Sequence, residues 1–408
     1  MAARAAGNLL VGQSGGTTAV INASLVGVAE EAIDSTAVGA VIGMRHGIEG
    51  LLREELIDLG RQPVGTFARL RRTPSAALGT CRHKLSADDL DRALAIIRRY
   101  AVRYFLYIGG NDSADTAHRL HLRAREIGYD LRVLSIPKTI DNDLPHTDHC
   151  PGYGSIARFL ALATRDAGRD TEAFPRQYPI KIIEVMGRNA GWVAAACALA
   201  QDDDRDAPQL IFLPERAPAS MEAVLAEIAA AQRNHGSCVA IVPETLHDAQ
   251  GRHLSGGDRH FVDAFGHAYH PGLGPLLAER VKHELGLPAR YDKPGTMARM
   301  AMMAASSTDL AEAEEAGREA VRRAVAGESD RMIALVRVGD GDAPYRIAYD
   351  VVPLERIANT ERLLPDEFIG DDGRSVTAAF RRYALPLLGE PLPGYGRLAE
   401  LPFVLAND

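Results

Sequence analysis

Pro137-Lys138-Thr139-Ile140-Asp141-Asn142-Asp143 puts two carboxylates, a hydroxyl and an ammonium on one short run. Phosphoryl transfer needs that mixture. A carboxylate near an acceptor hydroxyl can take its proton, while a cation offsets the charge on the transferring group. Two further stretches carry compatible chemistry. Gly12-Gln13-Ser14-Gly15-Gly16-Thr17-Thr18 offers bare backbone amides that an oxyanion could approach, and Ile108-Gly109-Gly110-Asn111-Asp112-Ser113 repeats the design. Neither is a Walker P-loop or a GxGxxG fingerprint. A single glycine turn would serve structure as readily as phosphate, and Asp112 and Ser113 could simply cap a helix. Two such loops beside the Lys-Thr-Asp run favour a shared anion site.

The elements that must position these loops follow a βαβ rhythm, with short apolar runs alternating with longer amphipathic segments. Strands are expected at Asn8–Val11, Ala37–Met44, Arg103–Ile108 and Leu131–Ile136, and helices at Thr18–Ile33 and Ser113–Ile127. Ser86 stands three residues before Asp89, as in a capping box, and Leu90, Ala93, Leu94 and Ile97 then repeat along one helical face. Each chemical loop therefore follows a strand. The carboxyl ends of adjacent parallel strands converge on one crevice.

The stretch 137–151, rich in Pro, Asp and His, reads as a domain crossing. A second α/β set follows, with strands at Ile180–Met186, Gln209–Leu213 and Cys238–Val242 and helices at Asn189–Ala200 and Met221–Arg233. Beyond Pro294 the chain is mainly helical to Ala326, then strand-like at Met332–Val338 and Tyr345–Val352, and it ends in a Pro-rich tail.

With 408 residues, 46% of them hydrophobic and 25% charged, the chain has room for two globular cores. A net charge of −8 gives no general attraction to nucleic acid or an anionic membrane, so neither is expected as a partner. Met1–Gly7 lacks a long apolar run, no apolar stretch reaches about 18 residues, and Cys81, Cys150, Cys197 and Cys238 are too scattered for a disulfide framework. These features fit a cytoplasmic protein whose cysteines pack. His146-Thr147-Asp148-His149-Cys150 and the His118/His121 pair lack a complete zinc pattern and read as loop and surface. Asp202–Asp206 reads as a solvated loop, and Met300, Met302 and Met303 as packing residues.

Taken together, the Pro137–Asp143 run, Gly109–Ser113 and Met186-Gly187-Arg188 resemble the phosphofructokinase family in residues, order and spacing, from about Asn8 to Arg299. The resemblance implies two Rossmann-like three-layer α/β domains with the active site in the cleft between them. Residues 8–150 with approximately 298–350 would bind the donor, and approximately 151–297 with 351–408 the sugar phosphate. It further implies that Asp141 is the base for the sugar hydroxyl, that Thr139 contacts the sugar or the transferring phosphate, and that Asp143 is a supporting carboxylate. Arg188 would stabilise charge during transfer. Met186, Gly187 and Tyr291 would line the sugar-phosphate site, Glu244 would bind sugar hydroxyls, and Arg290 and Arg299 would hold the remote phosphate. Gly15, Gly16, Arg82, Asn111, Asp112 and Ser113 would form the donor site. Guanidinium groups suit such bidentate phosphate contacts.

Within the family, ATP users usually carry Gly where this chain has Asp112 and Lys138, so the pair resembles the pyrophosphate users. An Asp side chain fills and repels the space a nucleotide α-phosphate needs, while an ammonium can neutralise compact pyrophosphate. The implied reaction is reversible phosphorylation of fructose 6-phosphate at C1 by pyrophosphate, in glycolysis and gluconeogenesis. An ATP-dependent kinase and a noncatalytic phosphometabolite sensor are the alternatives. The implied metal is Mg2+, at Asp112 and Asn111. Asn111 replaces the family's commoner Asp, which leaves pyrophosphate, water and Asp112 or Asp141 to carry the ion. Thr296 stands where a sugar-site His is common, and Arg176 or Lys181 would stand in for an arginine contributed across a subunit boundary. A homodimer or homotetramer is implied.

Overall fold

The computed structural model describes residues 7–256, 272–339, 344–399 and 401, and the backbone alone of 261–262 and 268–269. All but Gly7 of the Met1–Gly7 stretch, and the last residues of the Pro-rich tail, lie outside these. The strands are β1 (Gly7–Gln13), β2 (Val38–Met44), β3 (Leu56–Asp58), β4 (Val102–Gly109), β5 (Arg132–Pro137), β6 (Ile180–Val185), β7 (Leu210–Ile211), β8 (Cys238–Pro243), β9 (Phe261–Val262), β10 (Ala268–Tyr269), β11 (Ala289–Asp292), β12 (Arg331–Arg337) and β13 (Ile347–Pro353). Seven of them form one sheet in the order β13-β12-β5-β4-β1-β2-β3, and four form a second in the order β11-β6-β8-β7. The first sheet is parallel in its middle and antiparallel at both edges, where β13 pairs with β12 and β3 with β2. The second is parallel throughout.

The near-continuous apolar runs of β1 and β4 follow from burial on both faces. Alternate residues point to opposite sides. Leu10 and Phe105 pack with Leu94 and Ala117 on one face, while Leu9, Val11 and Leu106 pack with Ile21, Leu25 and Ala320 on the other. The result is helices over both faces, the three-layer arrangement that the family resemblance implies. The helix Ala87–Arg99 opens with the expected box, in which Ser86 Oγ accepts from Asp89 N at 3.1 Å and Asp89 Oδ2 accepts from Ser86 N at 3.0 Å. Removing such a cap costs about 1 kcal/mol. The first helix runs Ile21–Asp34 rather than from Thr18, because Thr18 Oγ1 accepts from Ile21 N at 3.0 Å and stays outside the helical turn.

Other expectations are corrected. The 21-residue helix Tyr153–Ala173 and the helix Leu273–Leu285 lie in stretches to which the pattern assigned nothing. The segment expected as one helix over Asn189–Ala200 is a turn, then Trp192–Ala196, then a 3-10 helix Cys197–Ala200. Asp202–Asp206 is not merely solvated: Asp206 is buried and pairs with Arg169 at 3.1 Å and Arg397 at 2.9 Å. His118 and His121 are not a surface pair, since His118 Nδ1 meets Asp330 at 2.8 Å and His121 is buried beside Ser329. Met303 is exposed rather than packed, and all four cysteines are buried thiols. Among the described residues no helix is long and apolar enough to cross a membrane.

Candidate active site

The three loops that follow β1, β4 and β5 meet because those strands are neighbours in the sheet. Backbone bonds stitch the loops together: Ser14 N donates to the Ile108 carbonyl at 2.9 Å, and Lys138 N to the Gly109 carbonyl at 3.0 Å. Gly15 has φ +74°, and a Cβ there would sit 3.3 Å from Lys138 Nζ; at Gly16 it would sit 3.0 Å from Arg299 Nη1. A side chain at either position would push against a cation, so the glycines leave the cationic groups room beside bare backbone. Lys138 Nζ donates to the Gly16 carbonyl at 2.7 Å and is thereby fixed over the first loop. Asn111, Asp112 and Ser113 open the helix Asn111–Glu126, whose positive end faces the same space.

The Pro137–Asp143 loop is shaped by two of its own side chains. Thr139 Oγ1 accepts from Asp141 N at 3.0 Å. Asn142 takes a left-handed φ of +54° and turns inward, donating to Tyr383 Oη at 2.9 Å and accepting from Cys150 N at 2.9 Å. With Asn142 buried, Asp141 and Asp143 face the cleft. From the second sheet, Met186 and Arg188 arrive after β6 and Glu244 after β8. Glu244 N donates to the Val185 carbonyl at 2.9 Å, and Thr245 Oγ1 to the Arg188 carbonyl at 2.6 Å. Arg188 Nε lies 3.9 Å from Glu244 Oε1 across this wall.

The two sheets thus enclose one cleft of about 500 Å³. It is lined by Gly15, Gly16, Arg82, Asn111, Asp112, Ser113, Lys138, Thr139, Asp141, Asp143, Met186, Arg188, Glu244 and Arg299. Gly187, Arg290 and Tyr291 are not in the lining. Gly187 supplies a φ of +113° between two residues that are. Arg290 lies over the Tyr178 ring, 3.7 Å from its centroid and 3.5 Å from Asp170, and Tyr291 is exposed on β11. Lys181 is held by Asp170 and Asp292 at 3.0 and 3.2 Å, and Thr296 is exposed outside the lining. Ser14, Thr18, Asn189, Asn359 and Glu361 line the cleft without having been expected there. Ser14 and Thr18 sit within the first glycine loop and could have been read from it. Asn359 and Glu361 come from a segment with no local motif.

Burial dominates the electrostatics. Desolvation pushes the Asp141 carboxyl up to about 6, with Glu244 adding to the rise and Arg188 and Lys138 opposing it. Asp143 is raised too, by burial first and by Asp141 second. The same desolvation lowers the Lys138 ammonium to about 8, helped by Arg299 and resisted by Asp141. Asn111 Oδ1 is buried with no hydrogen-bond partner among the described residues, and Asp112 lines the cleft beside it. The described residues contain no cluster of three or more His, Cys, Asp or Glu able to hold a metal on their own. The oxygens of Asn111 and Asp112 therefore fit a hard cation that takes its remaining ligands from a phosphate donor and water, as Mg2+ does.

Comparison with known proteins gives concordant results. The family described as Phosphofructokinase matches residues 8–324. The chain is 43% identical over 399 residues to the pyrophosphate–fructose 6-phosphate 1-phosphotransferase of Xanthomonas campestris pv. campestris (strain B100), covering 96% of this chain and 94% of that relative. It is 40% identical over 400 residues to the protein of the same name from Methylococcus capsulatus, with 96% and 94% covered. The crystal structure of a pyrophosphate-dependent phosphofructokinase from Nitrosospira multiformis superposes with a TM-score of 0.86 at 36% identity, covering 96% of this chain and 94% of that one.

Proposed function

We infer that this chain, because it belongs to the phosphofructokinase family, is a phosphotransferase that uses pyrophosphate to phosphorylate fructose 6-phosphate at C1, giving fructose 1,6-bisphosphate and phosphate. The observation that carries this reading is the convergence of Asp112 and Lys138 on the cleft that also holds Asp141 and Arg188. Asp112 takes the space that a nucleotide α-phosphate would need and repels its negative charge, and Lys138 sits where a compact dianion can reach it.

In the proposed mechanism Asp141 accepts the proton of the C1 hydroxyl as that oxygen bonds to the near phosphorus of pyrophosphate. The bridging P–O bond breaks, and its electron pair leaves with phosphate. Lys138 and Arg82 offset charge on the donor, and Arg188 the charge on the transferring group. Thr139 holds the loop and the transferring phosphate, Asp143 supports Asp141, and Glu244 binds sugar hydroxyls beside Met186. Gly15, Gly16 and Ser113 present backbone and hydroxyl donors to pyrophosphate. Arg299 holds the remote phosphate from within the cleft. Arg290 and Tyr291 lie outside the lining; a homodimer or homotetramer is proposed on the family resemblance, with Arg176 or Lys181 standing in for the arginine contributed across the subunit boundary. The sheet of β1–β5 with β12 and β13 is proposed as the donor domain (residues 8–150 and about 298–350), and the remainder as the sugar-phosphate domain.

Enzymes of this family generally use Mg2+. Asn111 and Asp112 are its proposed protein ligands, and the bound ion would supply charge neutralisation to the oxygens of pyrophosphate. The decisive test gives the purified protein fructose 6-phosphate with either pyrophosphate or ATP and follows fructose 1,6-bisphosphate. Turnover with pyrophosphate is expected. Turnover with ATP alone would overturn the donor assignment, and sugar-phosphate binding without turnover would mark a sensor.

A further inference from the structure

The loop that carries Asp141 and the turn that carries Arg188 belong to different sheets, so something must set the distance between a base and a charge stabiliser that have to act on the same phosphoryl group. One short segment touches both. Arg362 N donates to the Asp143 carbonyl at 2.7 Å. Its guanidinium donates to the carbonyls of Asn142 at 2.8 and 3.3 Å, Thr147 at 2.6 Å and Asp148 at 2.8 Å. The same guanidinium lies 4.5 Å from the centroid of the Trp192 ring, and Trp192 Nε1 donates to the Arg362 carbonyl at 3.0 Å. One residue earlier, both carboxylate oxygens of Glu361 accept from Asn189 Nδ2, at 2.8 and 3.1 Å. Two residues later, Leu364 N shares Glu215 Oε1 with Gly191 N, each at 2.8 Å.

We propose that Glu361 and Arg362 are positioning residues for the transfer reaction, clamping the Asp141 loop to the Arg188 turn so that base and cation meet the substrate in register. Arg362 grips the backbone of the acceptor loop and the Trp192 end of the turn, and Glu361 holds Asn189, the neighbour of Arg188. A guanidinium is required for the first task, because its planar fork reaches several carbonyls at once and a lysine ammonium presents a single nitrogen. Among the described residues Arg362 forms no ion pair and its guanidinium meets carbonyl acceptors, so its role here is directional. The proposal rests on the roles given to Asp141 and Arg188 above.

The test uses the full chain and first establishes wild-type turnover with pyrophosphate and fructose 6-phosphate; if that fails, the functional reading fails, independently of the clamp. Arg362→Lys is then expected to lower kcat by about 10- to 100-fold, the cost of misplacing reacting groups by about 1 Å, with both KM values little changed. Glu361→Ala, Asn189→Ala and the double variant form a cycle on an exposed pair that does not endanger folding. If Glu361 acts through Asn189, each single variant loses kcat and the double variant loses no more than either one. Glu361→Gln, which keeps an acceptor for Asn189, should recover most of the Glu361→Ala loss. Wild-type kcat in a folded Arg362→Lys, or losses at 361 and 189 that multiply, would overturn the proposal; should Arg362→Lys not fold, the cycle alone decides.

Discussion

Replacing Lys138 with Met removes a cation while preserving most of the side chain's length, and the structure sets the size of the effect. Lys138 is 3% exposed and held by the Gly16 carbonyl at 2.7 Å, so its charge is little screened by water. Although burial lowers its pKa to about 8, the ammonium is the main form at pH 7. A hydrogen bond to a charged group contributes about 1.5–3 kcal/mol, and roughly 1.4 kcal/mol is a factor of ten. Loss of one such contact to pyrophosphate should lower kcat/KM for pyrophosphate by about 10- to 150-fold. The Gly16 carbonyl loses this donor too, but because Gly16 is half-buried and lines the cleft, the change in Tm should be small. Initial rates over a pyrophosphate series at saturating fructose 6-phosphate measure the first effect, and the KM for the sugar phosphate should hold. The pH dependence gives an internal check: the ammonium contributes below pH 8 and is lost above it, so wild type and Lys138→Met should converge as the pH rises through that value. A folded variant with unchanged kcat/KM for pyrophosphate, or one that loses only sugar-phosphate affinity, would refute the reasoning.

Asp141→Asn should retain fold and sugar-phosphate binding by calorimetry but lose about 10²- to 10⁴-fold in kcat, the range for general-base action; near-normal turnover rejects Asp141 as the base. Since that base works ionised, wild-type kcat/KM should rise with pH through about 6, where burial has moved Asp141, and a flat profile between pH 5 and 7 would contradict the assignment. Asp112→Gly should relax donor choice, admitting ATP as judged by rates with each donor side by side, and an unaltered donor profile would remove Asp112 from the specificity argument. Chelation should stop turnover without altering the circular dichroism of the fold, and Asn111→Asp, by restoring a charge to the metal site, should lower the Mg2+ concentration needed for half-maximal rate; an unchanged requirement would take position 111 out of the metal site.

What could be read from the sequence was what local chemistry encodes. Leu9 to Val11 and Tyr104 to Ile108 are apolar runs too short for helices, and they became adjacent central strands. Because the loops after them carry the polar groups, most of the cleft followed from strand adjacency. Ser86 and Asp89 announced their helix through a mutual bond that needs only four residues. The helix Tyr153–Ala173 was harder to see, since its buried face includes Gly154, Ser155, Thr164, Arg165 and Gly168 as well as Ile156 and Leu160. These residues fit because Asp309 accepts from Gly152 N and Ser155 N, and Arg165 finds the Ala200 carbonyl, partners supplied by distant parts of the chain. Glu361 was illegible for the same reason. An exposed acidic residue in a loop has no pattern of its own, and its place in the cleft depends on Arg362 meeting four backbone carbonyls more than two hundred residues away.

The cleft also resolves a tension in the chemistry it is proposed to perform. An exposed carboxylate, with a pKa near 4, is a weak base for a sugar hydroxyl, and an exposed ammonium is strongly hydrated and exerts little field on a phosphate. Closing both between two sheets changes them in opposite directions through one cause. Burial raises Asp141 toward neutrality and lowers Lys138 toward it, while their mutual attraction restrains both shifts and keeps each charged at pH 7. Glu244 and Glu361 add to the rise at Asp141, and Arg188 with Lys138 opposes it. In the proposed mechanism, the separation of the Asp141 loop from the Arg188 turn, which come from different sheets, therefore sets how far Arg188 can balance that charge.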